Sequence, residues 1–171
     1  MSHNDAIAAD MVSNLGPLSA AFLTVKHEDV LNTMTIGWGS HGIFWNRPIF
    51  IVAVRSARYT HEILDKALEF TVTIPEDPSF KEALALCGTV SGRDQDKFAA
   101  AGLIALPSKA IQTPIIAGTA SQYECTVVYR QSMTDEALIS QEIKQRSYMP
   151  QHGPGHTFYF GEILHAYRTQ G

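Results

Sequence analysis

The chain has 171 residues with 13 Lys and Arg against 17 Asp and Glu, and a net charge of −4 argues against the basic stripe that a nucleic-acid binder needs. Charged residues make up only 18% and apolar residues 45%, enough for one domain with its own core and few enough charges to imply a surface covered by a partner or cofactor. Two cysteines, Cys87 and Cys125, cannot build a disulfide framework or a four-ligand zinc centre, and the longest apolar run, Ile49 to Val54, is far too short for a bilayer. With an N-terminus lacking a basic start and apolar middle, a cytoplasmic protein with no membrane or nucleic-acid partner is expected.

Residues 1–15 read as a polar extension and 16–171 as the single domain. Gly16-Pro17 turns the chain into a first strand, Ala20 to Val25, and His27-Glu28-Asp29 is its hairpin loop. From Leu31 to Trp38, Met34, Ile36 and Trp38 alternate with Thr33, Thr35 and Gly37, the period of a half-buried strand whose small-residue face is open to an approaching group. Gly37 to Gly42 reads as part of a flexible Gly-rich corner between two strands that holds two Trp side chains, Trp38 and Trp45, or, as the balance favours, as a hairpin with core aromatics. Its formal GxGxxG pattern is accidental, because no helix opens after it. Pro48 opens the buried strand Ile49 to Val54. Thr60 then caps a helix to Leu68 with Ile63, Leu64, Ala67 and Leu68 on one face.

Glu69 to Ile74 alternates as a strand closed by Pro75, and Ser79 to Leu86 and Asp94 to Ala101 are short helices, the second capped by Asp94 and stopped by Gly102. Between them, Cys87 to Arg93 has loop chemistry. Gln122 to Arg130 and His156 to Tyr167 are long strands, and Glu136 to Tyr148 is also assigned to a strand. Without regular βαβ alternation, antiparallel β structure with helices packed outside is expected.

Two junctions carry chemistry. Arg55-Ser56-Ala57-Arg58-Tyr59-Thr60 places two guanidinium groups and several hydroxyls where a strand gives way to a helix, which suits a phosphate group and equally an ordinary cap with solvated arginines. Ser91-Gly92-Arg93-Asp94 with Lys97 repeats the pattern, and the pair shifts the balance towards a bound phosphate. His152 and His156 are four apart, but Gly-Pro-Gly between them forbids the helix that would align them on a metal. His156 is either delivered to a pocket mouth by this loop or solvated. Cys87 has no catalytic histidine at a recognisable spacing, and no Gly-x-Ser-x-Gly is present.

In order, Asn32 to Trp38, Arg47-Pro48 with Val52 to Arg55, Arg58-Tyr59-Thr60, Glu69 to Val72, Ser91 to Asp94 with Lys97-Phe98, and His156 to Phe158 through Gly161-Glu162-Ile163 resemble the flavin reductase-like family of FMN-binding split barrels, in particular its flavoredoxin-like branch. The resemblance implies a mainly β fold, a six-stranded antiparallel split barrel with short peripheral helices, and a homodimer that holds FMN near its interface. It implies that Asn32, Thr33, Met34, Thr35 and Trp38 line the ring and ribityl chain, with Thr33, Thr35 and Gly37 letting the ring approach the strand. It assigns Arg55, Ser56, Arg58, Tyr59 and Thr60 to the phosphate and uses Ser91, Gly92 and Lys97 to close the site. His156 falls where the family brings a histidine beside a nicotinamide. The implied function is an FMN-dependent oxidoreductase passing electrons from NAD(P)H or another donor to a flavin, metal complex or protein, the alternative being a noncatalytic electron carrier. FMN itself would supply the redox chemistry. Where two-component reductases tend to carry a Ser-rich segment and Pro-Pro, this chain has Ile43 to Pro48, and Phe44 and Trp45 are expected to narrow access to the ring.

Overall fold

A computed structural model describes residues 15, 18–150 and 155–170, so Gly16-Pro17, residues 1–14 of the extension and His152 lie outside the described residues. Strands β1 (Ala21–His27) and β2 (Val30–Ile36) form a hairpin turned at Glu28, and β3 (Gly39–Phe44) and β4 (Arg47–Arg55) form a second. Trp45 and Asn46 connect the latter pair with φ of 52° and 58°, the doubly positive geometry whose twist matches that of the flanking strands. Helix α1 (Tyr59–Ala67) leads into β5 (Glu69–Pro75). A 3-10 turn (Pro78–Phe80) then runs into α2 (Lys81–Thr89), followed by α3 (Lys97–Ala101). Two short strands, β6 (Ala105–Leu106) and β7 (Ile115–Ile116), pair by themselves before β8 (Ala120–Ser132), α4 (Gln141–Ser147) and β9 (His156–Thr169).

The main sheet has the order β2-β1-β5-β8-β9-β4-β3, and its pairings are antiparallel. It curls around an apolar interior of Leu23, Val25, Met34, Phe50, Val52, Phe70, Val72 and Tyr159, closed by Ile63 and Leu64 of α1. A second apolar layer, with Phe22, Leu84, Cys87, Phe98 and Ile116, seats α2 and α3 on the outside of the sheet. Strand β5 lies between the two layers, so its residues from Phe70 to Pro75 are buried on both faces. Edges β2 and β3 are not bonded to each other, which makes the barrel split.

The sheet has seven strands where six were expected. The additional strand is β3, read from sequence as a flexible corner. A Cβ on Gly39 would lie 3.1 Å from Phe50 Cε1 and 3.3 Å from the Ile51 carbonyl, so this glycine serves close approach within the sheet. The segment assigned as a strand from Glu136 to Tyr148 contains helix α4 instead. Ser140 caps it by accepting from the Ile143 N–H, with Glu142 in the first turn and Lys144 and Arg146 in the last. Helix α2 continues through Thr89, and α3 begins at Lys97 behind the cap Asp96 rather than at Asp94. Leu68 leaves the helical face: its φ is +53° and it is exposed. Register shifts at Glu124/Cys125 and Val127/Tyr129 interrupt the alternation of β8. No helix among the described residues is long and apolar enough to cross a membrane, and no cluster of three His, Cys, Asp or Glu among them could hold a metal ion.

Candidate functional site

Two adjoining cavities open where β2 parts from β4. The first, of about 210 Å³, is bordered by Met34 to Trp38 at the end of β2, Ala53 and Arg55 on β4, Arg58, and His156 at the start of β9. The second, of about 140 Å³, is bordered by Asn32 and Met34, by Ala57 to Thr60 where α1 begins, and by Thr89 to Arg93 with Lys97. Met34 and Arg58 line both, so the two form one elongated cleft with an aromatic lobe and a cationic lobe.

The cationic lobe is built on the start of α1. Its cap position is Arg58, in extended conformation and without a side-chain capping bond, so Thr60 is not the cap that the sequence suggested. Thr60 instead accepts from Asn32 Nδ2 at 2.9 Å, tying β2 to the helix, and both residues are buried. An uncapped helix start presents N–H groups and a partial positive charge to the lobe. Arg58 donates to the Gly88 carbonyl at 3.1 Å, and the buried Lys97 amine donates to the Cys87 carbonyl at 3.0 Å. Among the described residues neither cation is paired with a carboxylate, whereas Arg93 is engaged by Glu62 and stacked on Tyr59. Burial lowers the Lys97 pKa, opposed by Cys87 and aided by Arg58, while burial raises that of the Cys87 thiol against the pull of Lys97. A ligand bearing negative charge would supply the countercharge that this lobe lacks.

Gly92 is the floor of that lobe. A Cβ there would fall 2.0 Å from Asn32 Oδ1 and 3.1 Å from the Tyr59 ring, so only glycine lets the 91–93 turn close on α1. Ser91 secures the turn by accepting from the Arg93 N–H at 3.2 Å.

In the aromatic lobe, Trp38 is half exposed and its ring lies 5.0 Å from that of the buried His156, tilted by 42°. His156 Nδ1 and the Tyr148 hydroxyl are 3.0 Å apart. Arg55 donates to the Ser147 carbonyl at 2.8 Å and lies over the Tyr148 ring, 5.4 Å from its centroid. Burial, with the charges of Arg55 and Arg58, pushes the His156 pKa down to about 4, so its imidazole is neutral at physiological pH. Burial raises the Tyr148 pKa, with Arg55 opposing.

The cleft thus brings together Asn32, Met34, Thr35, Trp38, Arg55, Arg58, Tyr59, Thr60, Ser91, Gly92, Lys97 and His156 of the residues read from sequence. Arg55 stands in the aromatic lobe, away from the cationic one. Ser56 is exposed and borders neither lobe. Thr33 also borders neither lobe: it donates to the Leu23 carbonyl at 3.3 Å and accepts from Thr24 at 3.2 Å. Thr35 donates to the Leu84 carbonyl at 2.6 Å. Along the small-residue side of β2, Thr33 is thus bonded to β1 and Thr35 to α2, while Thr35 and Gly37 still border the aromatic lobe. Phe44 and Trp45 do not narrow the cleft. They sit at the other end of β3 against Tyr129 and Phe160. Sequence reasoning missed Tyr148 at the cleft, because its segment was assigned to a strand. The Ser140 cap was the available signal.

Comparison with solved structures places this architecture among flavin-associated split barrels. It superposes on an FMN-binding protein from Thermus thermophilus with bound p-hydroxybenzaldehyde at a TM-score of 0.68 and 22% identity, covering 89% of this chain and 72% of that one. It also matches flavoredoxin from Methanosarcina acetivorans at a TM-score of 0.65 and 25% identity, over 88% and 68% of the two chains. A protein of unassigned function from Archaeoglobus fulgidus is 29% identical over 134 residues, 78% of this chain and 74% of that one. The flavin reductase like domain profile matches residues 17–170, and the chain belongs to that family.

Proposed function

We propose that this protein is an FMN-dependent oxidoreductase whose cleft holds FMN with its phosphate in the cationic lobe and its ring in the aromatic lobe. The observation that carries this reading is the convergence of Arg58, Lys97 and the uncapped start of α1 on one lobe, with no carboxylate among the described residues paired to either cation. Asn32, Thr60 and Ser91 would position the phosphate and ribityl groups, Gly92 would admit them, and Met34, Gly37 and Trp38 would border the ring. FMN, when bound, supplies hydride and electron transfer between a nicotinamide or other donor and a flavin, metal complex or protein acceptor. The chain's own part is to grip the phosphate, shield one side of the ring and offer His156 as a neutral hydrogen-bonding group beside it.

A noncatalytic electron carrier is the second reading. It is favoured by the likeness to flavoredoxin at 25% identity over 88% of this chain. Anaerobic mixing of the FMN-loaded protein with NADH and with NADPH separates the two. Bleaching of the bound flavin by either supports the reductase, and no bleaching by both removes it. Failure of the purified protein to bind FMN at all would overturn both readings.

An apolar surface supports the homodimer. Ile43 and Trp45 are 71% and 60% exposed, and with Phe44 and Tyr129 they form an aromatic patch around Phe160 at the tip of the β3–β4 hairpin. Trp45→Glu is expected to convert a dimer to a monomer in sedimentation equilibrium. An unchanged mass would remove this patch as the interface. The reduced cysteines, both buried, fit a cytoplasmic setting.

A further inference from the structure

Tyr148 stands behind the aromatic lobe, in contact with its lining residues Arg55 and His156, and its surroundings are specific. It follows α4 directly, its ring supports the Arg55 guanidinium, and its hydroxyl meets His156 Nδ1 at 3.0 Å, while the imidazole also lies 5.0 Å from the Trp38 ring. Arg55 in turn grips the Ser147 carbonyl at 2.8 Å, so the end of α4 is latched to β4 beside the aromatic lobe.

We propose that Tyr148 is a positioning residue that donates its phenolic proton to His156 Nδ1, holding the imidazole as the Nε2–H tautomer so that the lobe accepts molecules presenting a carbonyl or carboxamide oxygen. This rests on the flavin-site reading above for what lies beside that oxygen, and not for the tautomer itself. A neutral imidazole has one donor nitrogen and one acceptor nitrogen, and the partner of the first decides the role of the second. The phenol keeps its proton, since burial raises its pKa, and His156 Nδ1 is the acceptor within reach. Nδ1 therefore accepts, and Nε2–H is the donor left for an occupant of the cleft. The charged groups that face His156 are Arg55 from β4 and Arg58 from the start of α1, and both oppose an imidazolium. An N–H donor on a neutral imidazole suits an oxygen acceptor such as a carbonyl, and the two arginines beside it disfavour a cationic ligand.

The test uses the full-length protein with 15N-labelled histidine. In the wild type the His156 Nδ1 resonance is expected in the acceptor range and Nε2 in the N–H range. Tyr148→Phe, which keeps the ring beneath Arg55, is expected to mix the tautomers and to raise the pH at which His156 titrates. Nicotinamide serves as the oxygen-bearing probe and 3-methylpyridine as its analogue without the oxygen, each followed by Trp fluorescence. The loss of one hydrogen bond predicts that Tyr148→Phe weakens nicotinamide binding about fivefold to tenfold and leaves 3-methylpyridine unchanged. A proton found on Nδ1 in the wild type, equal nicotinamide affinity in the two proteins, or no preference for nicotinamide over its analogue would each overturn the proposal. An FMN titration of both proteins is read separately. Failure of the wild type to bind FMN defeats the flavin reading, while the nitrogen shifts still decide the tautomer.

Discussion

Replacing Gly92 by alanine tests whether the cationic lobe is held open by close backbone approach. The added Cβ would stand 2.0 Å from Asn32 Oδ1, 2.9 Å from its Cγ and 3.1 Å from Tyr59 Cδ1. Asn32 cannot yield freely, because it is buried and its amide donates to Thr60 at 2.9 Å. Losing that buried bond costs about 1–3 kcal/mol, and overpacking adds a comparable amount, so destabilisation of about 2–5 kcal/mol is expected. With a urea m-value of about 2 kcal/mol/M, the unfolding midpoint should fall by about 1–2 M. FMN affinity measured by flavin fluorescence should fall with it, since the lobe is remade. Gly88→Ala is the internal control. Its Cβ would meet Thr35 Cβ at 3.4 Å, an ordinary contact, and alanine in a helix gains up to about 1 kcal/mol over glycine. A Gly92→Ala protein that unfolds at the wild-type midpoint, or together with Gly88→Ala, would refute the packing argument.

Other substitutions probe separate parts of the molecule. Arg58→Ala removes a guanidinium shared by both lobes and should weaken FMN binding roughly tenfold to a hundredfold in a fluorescence titration; a change under twofold would place the phosphate elsewhere. His156 is neutral in the fold down to about pH 4 but protonates near 6.5 when unfolded, so acidification between those values favours the unfolded chain. The wild type should lose up to about 3 kcal/mol more than His156→Gln over that window, with the difference saturating below it, and parallel stability curves in urea would contradict this. Glu124 is fully buried and accepts from the Lys109 N–H at 2.9 Å, the Ala110 N–H at 2.7 Å and the Tyr167 hydroxyl at 2.8 Å. Glu124→Ala should cost at least about 3 kcal/mol and expose the amides of Lys109 and Ala110 to hydrogen exchange, with Glu124→Gln intermediate; unchanged protection of those amides would show that the carboxylate does not anchor the loop.

Elements whose sequence period matched their burial were legible from the chain itself. α1 carries Ile63 and Leu64 into the core at helical spacing, whereas β4 and β5 were legible as strands but not in their burial: Ile51 and Ala53 in the apolar run of β4 are only half-buried, and the alternating β5 is buried on both faces. The two cation-bearing junctions were also legible, because a strand-to-helix turn with Arg, Ser and Thr has local chemistry that needs no distant partner. They are 33 residues apart by number, Arg58 to Ser91, yet share one lobe.

What tertiary structure decided was which way each side chain faces and what covers it. Thr33 and Thr35 were alike in sequence because alternation reports only that two faces differ, but the fold bonds Thr33 to β1 and Thr35 to α2, and only Thr35 borders the cleft. Arg55 and Arg58 were equivalent in sequence, but the strand pleat and the start of α1 send one to Tyr148 and the other to the cationic lobe. Gly39 read as part of a flexible corner and Gly92 as a turn glycine, and both act through close approach to Phe50 and Asn32, partners that the fold brings in from elsewhere in the chain. Local propensity is a property of neighbours along the chain, whereas a binding cleft is defined by neighbours across it. The residue types of this site were therefore visible in order, and their division into two lobes came only with the packing of β2, β4, α1 and the segment from the end of α2 to Lys97 around the split.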